Sequence, residues 1–77
     1  MPRAAALRPQ PRPRALAELG GEIDQAERTL ARCRLDLEDA LAAGRGVVRA
    51  EGMLRLAEQR LARLRESREV LLAGAPS

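Results

Sequence analysis

Apolar and small residues recur along this chain at alternating steps of three and four. Leu16, Leu19, Ile23, Ala26, Leu30, Cys33, Leu37 and Ala40 form one such run. Val47, Ala50, Leu54, Ala57, Leu61, Leu64, Arg68 and Leu71 form a second, broken only by Arg68. A strand would alternate every second residue, whereas this spacing keeps one stripe of an α-helix apolar. It is also the seam of a coiled coil. Two helices are therefore predicted, over residues 15–43 and 47–73, with a break at residues 44–46.

The break reads Gly44-Arg45-Gly46. Glycine suits the left-handed residue that ends a helix, and a second permissive position allows a tight reversal. A phosphate-binding loop would need GxxxxGK[ST], and the chain contains no Lys. Folding back at Arg45 brings together residues whose numbers add to about ninety. Leu37 then meets Leu54, Cys33 meets Ala57, Leu30 meets Leu61 and Ala26 meets Leu64, all in one phase. The predicted fold is all-α: an antiparallel two-helix hairpin of coiled-coil type, with helices of matching length near 40 Å at ~1.5 Å per residue. Gly20-Gly21 weakens the start of the first helix, so a firm beginning is expected only near Glu22. Arg68, opposite Ile23, is expected to lay its stem along the seam and reach Glu22 and Glu27 with its guanidinium.

Residues 1–14, MPRAAALRPQPRPR, read as an extended, mobile arm, because Pro9, Pro11 and Pro13 fix φ and disfavour helix in their predecessors. Residues 74–77, GAPS, supply a glycine stop followed by a proline.

Composition narrows the chemistry. There is no Phe, Tyr, Trp or His, and all 14 basic residues are Arg. One cysteine, Cys33, cannot form an internal disulfide and fits a reducing, cytoplasmic setting. At a seam position it reads as a small hydrophobe rather than a reactive thiol. Without His or a cysteine cluster the common transition-metal sites have no ligands. Without His, Lys or Tyr the common general bases, Schiff-base formers and phenolic acids are missing too. No catalytic residue, metal or cofactor is expected, and the chain reads as a non-enzyme. Nothing approaches the ~18 apolar residues of a membrane span. The opening residues lack the apolar core of a secretory signal.

Charge is segregated beneath a net +3. Residues 1–14 carry four Arg and no acid; residues 15–43 carry seven acids and three Arg; residues 44–77 carry seven Arg and four Glu. An acidic helix beside a basic one favours the antiparallel pairing. The basic arm, with Arg3, Arg8, Arg12 and Arg14, together with the Arg face of the second helix, also admits a nucleic-acid reading. The acids of the first helix, and Glu51, Glu58, Glu66 and Glu69 on the second, oppose it.

Seven large apolar residues fall off the seam: Leu35, Leu41, Val48, Met53, Leu56, Val70 and Leu72. A lone hairpin has nowhere to bury them, so they are the candidate partner-binding residues. The expected function is a protein-interaction module — an adaptor, assembly factor or chaperone-like subunit — that docks on a partner or on itself. A small basic nucleic-acid-binding protein is the alternative. The short two-helix plan with its Gly-containing turn resembles the small co-chaperones of type III secretion needle subunits, a likeness of architecture that implies a chaperone-like role in a secretion or assembly system.

Overall fold

The structure, a computed structural model, describes residues 11–74, with side chains from residue 13. It consists of two helices, α1 (Pro11–Ala43) and α2 (Val47–Ala73), packed antiparallel as a hairpin. No strand occurs among the described residues.

The reversal at residues 44–46 is built from backbone alone. Gly44 takes a left-handed φ of 71°, and its N–H donates to the carbonyls of Ala40 (2.8 Å) and Leu41 (3.2 Å). The Arg45 N–H also donates to the Ala40 carbonyl at 3.2 Å. This is the Schellman closure, in which a left-handed residue lets two N–H groups satisfy the last orphan carbonyls of a helix. Gly46 is left-handed as well (φ 75°, ψ 12°) and accepts the first bond of α2 from the Ala50 N–H at 3.0 Å. At the far end Gly74, again left-handed, donates to the Leu71 carbonyl at 3.2 Å.

The core is the expected seam. Ile23, Ala26, Leu30 and Cys33 from α1 are buried with Ala57 and Leu61 from α2, and Leu19, Leu54 and Leu64 pack against them half-buried. Every member belongs to the two periodic runs. No polar or charged residue is buried among the described residues.

Three expectations need correction. First, α1 begins at Pro11, not Ala15, so residues 11–14 of the expected arm are helical. The first four N–H groups of a helix have no acceptor within it, so Pro11 and Pro13 give up no hydrogen bond there, and their fixed φ matches the helix. Residues 1–10 lie outside the described residues. Second, α1 passes through Gly20-Gly21 without a break. Leu16 and Leu19 on one side and Ile23 on the other are at least half-buried, and that packing offsets the weak helix propensity of two glycines. Third, the helices differ in length, 33 residues against 27, so the first turn or more of α1 runs past the end of α2.

Candidate functional site

The side chains beside the seam fall on two edges, and two observations identify them. On one edge the Arg65 guanidinium donates to a Glu27 carboxylate oxygen at 3.1 Å. Glu27 follows seam residue Ala26 and Arg65 follows seam residue Leu64, so each lies one step past the seam. This pair places the two helices in the expected register. It also displaces the expectation for Arg68, which is half-buried and makes no ion pair among the described residues. Arg68 sits in the seam line itself, whereas Glu27 projects from an edge, where Arg65 faces it.

On the opposite edge, next to the turn, an open groove of ≈ 460 Å³ separates the helices. Its floor is apolar and small: Cys33, Ala40, Ala43 and Ala50, with Met53 at one side. Asp36 and Asp39 line it from α1, and Arg45 and Arg49 from the turn and α2. The groove follows from the seam. The register sets wide layers, Leu30 with Leu61 and Leu37 with Leu54, between narrow ones, Cys33 with Ala57 and Ala40 with Ala50. Short side chains near the turn leave space on the edge that they face. Cys33 is a free thiol but only 6% exposed, packed within the core beneath the groove.

Both walls continue as stripes along the groove edge at steps of three and four. On α1 the stripe carries Glu18, Glu22, Asp36 and Asp39, with Arg32 its one basic residue, and Arg32 donates to Asp36 at 3.3 Å. On α2 it carries Arg49, Met53, Leu56, Arg60, Arg63, Ser67 and Val70, with no acid. The charges are therefore separated more sharply on this edge than over the helices as wholes. The ion-pair edge, by contrast, mixes Glu27, Arg34, Glu51, Glu58 and Arg65.

All seven apolar residues singled out from sequence are exposed, from Met53 at 52% to Val48 at 83%. The structure does not gather them into one patch. Met53, Leu56 and Val70 lie on the groove-edge stripe of α2. Leu41, Val48 and Leu72 follow seam residues on the ion-pair edge, and Leu35 lies on the back of α1. Sequence reasoning missed this division and the groove itself. The signal was available in the small residues at alternate seam positions.

Of the arginines in the nucleic-acid reading, Arg3 and Arg8 lie outside the described residues, as does the side chain of Arg12, and Arg14 is exposed on the first turns of α1. Arg49, Arg60 and Arg63 form a basic stripe, but a phosphate backbone laid along it would also meet the acids of α1 one helix diameter away, ~10 Å. Among the described residues no group of three or more His, Cys, Asp or Glu is placed to hold a metal ion. No helix among them is long and apolar enough to cross a membrane. The chain matches no protein-family model, no curated protein and no solved structure.

Proposed function

We propose that this hairpin is a small non-enzymatic protein-interaction module, an adaptor, assembly factor or chaperone-like subunit that offers helix faces to a partner. One observation carries the reading: among the described residues six form the buried core, while seven large apolar side chains stand more than half exposed. Domains of this size have little stability to spare, and two helices in contact along one seam bury few side chains. Burying further Leu, Val and Met side chains is worth up to ~1.5–3 kcal/mol each, so a partner docked on either edge would add several kcal/mol to a small internal core. Recognition of this kind lays helix faces together, with apolar anchors supplying affinity and charge setting orientation.

Thermal melting of the purified chain over a dilution series tests the reading. A species that binds only the folded state raises its stability by mass action. The midpoint should therefore be low in dilute solution and rise with protein concentration or with added partner. A monomer of high, dilution-independent melting temperature would leave the exposed side chains with no such role.

A further inference from the structure

We infer that the groove edge is a self-association surface, on which a second copy of this chain docks to complete a four-helix bundle about a two-fold axis parallel to the helices. The inference rests on the interaction-module reading and names the partner and the face.

The first support is charge. Two hairpins packed through the same edge can be related by a two-fold axis lying in the interface, in one of two directions. An axis across the helices lays α2 on α2 and α1 on α1. The basic stripe of Arg49, Arg60 and Arg63 then meets its own copy, and Glu18, Glu22, Asp36 and Asp39 meet theirs. An axis along the helices instead lays each α2 antiparallel on the partner's α1, with both turns at one end. A stripe of four acids and one Arg then faces a stripe of three Arg and no acid twice. Arg49 lies within about one helical turn of the level of Asp39 in the other copy, while Arg60 and Arg63 fall at the level of Gln25, Thr29 and Arg32. Like charges at an interface are costly and opposite ones set register, so the second arrangement is selected.

The second support is size and content. The face is two helices wide, ~20 Å, and as long as α2, ~40 Å, giving about 800 Å² per copy. That is the extent typical of a stable, specific interface on each partner. Its α2 stripe carries Met53, Leu56 and Val70 as apolar anchors, and the groove beside Met53 has a floor of small side chains that leaves room for an incoming one. The ion-pair edge lacks this edge's charge separation, since acids and arginines mix along both of its helices.

The test pairs two substitutions with a distance. Leu56 on the groove edge and Leu72 on the ion-pair edge are equally exposed, at 63% and 62%, so Leu56→Glu and Leu72→Glu impose the same chemistry on different faces. Sedimentation equilibrium of the full chain should find a dimer of the 8.4 kDa protein. Leu56→Glu should weaken it by about tenfold or more, as loss of a central anchor does, with Leu72→Glu close to wild type. A spin label on Arg45→Cys at the turn, in a Cys33→Ala background, reads the arrangement once sedimentation shows that the labelled variant still dimerises. The two labels should lie near each other, whereas the rejected axis would separate them by ~40 Å, the length of α2. Loss of the dimer in Leu72→Glu but not Leu56→Glu, or labels at opposite ends, overturns the inference. So does a monomer at high micromolar concentration. If that monomer is also marginally stable, the module reading stands with a different partner; if it is very stable, both readings fall.

Discussion

Individual side chains on the seam divide into those that hold the hairpin and one that weakens it. Leu61, 4% exposed, is a large buried residue on a helix with only one other buried position, Ala57. Leu61→Ala should cost about 2–5 kcal/mol, the range for emptying a packed leucine site. A single core in a chain of this length rarely supplies more than about 3–5 kcal/mol, so far-UV circular dichroism should show most helicity lost at room temperature. Arg68 is the opposite case. It occupies a seam position, is half-buried, and makes no ion pair among the described residues, so nothing polar is lost when it is replaced. Arg68→Leu should add roughly 1 kcal/mol, about half of what a fully buried leucine contributes, and raise the melting midpoint by several degrees. A falling midpoint would mean that the guanidinium contributes something the ion-pair geometry does not reveal. The sequence marked Arg68 as an exception, but it did not show that Glu27 belongs to Arg65. Seam position was legible from spacing, while the edge of the seam to which a long side chain turns depends on how the two helices meet.

At the scale of the element, the glycines carry opposite consequences according to backbone conformation. Gly44 and Gly46 are left-handed, a conformation that costs an L-residue roughly 1–2 kcal/mol, even though an added Cβ would meet no atom at either site. Gly52 lies inside α2 with helical backbone and equally open surroundings. Gly52→Ala should thus stabilise by up to about 1 kcal/mol through helix propensity, while Gly44→Ala and Gly46→Ala should each destabilise by about 1–2 kcal/mol. Chemical denaturation of the three variants separates these signs, and a neutral Gly46→Ala would show that the turn can relax. The fold was legible here because the turn, the helix periods and the equal spacing of both seams all agreed. The start of α1 was not. Proline and paired glycine are read as breakers from local propensity, yet at Pro11 and Pro13 the missing N–H groups cost nothing, and at Gly20-Gly21 tertiary packing outweighed propensity.

For the whole molecule, stability resides in the meeting of the two halves. Neither α1 nor α2 has a second apolar stripe to bury within itself, and the six core residues are divided between them. The turn adds no packed side chain of its own, since its closure is three backbone bonds from Gly44 and Arg45 to Ala40 and Leu41. Linkage by residues 44–46 acts chiefly by keeping the helices at high effective concentration, a role that can be replaced by adding more of the partner helix. Helices hold together by tertiary burial more than by propensity, and the internal glycines lower propensity further. Peptides 11–43 and 47–73 should accordingly be weakly helical alone and gain helicity when mixed in equal amounts, with the gain growing with concentration. The mixture should also be weakened by salt more than the intact chain, because opposite net charge helps the separate helices find each other. Strong helicity of either peptide alone at low concentration, unchanged by its mate, would place the stability in the single helix. The exposed apolar side chains would then be ordinary surface on a self-sufficient rod, so this experiment bears on the interaction surface as directly as on the fold.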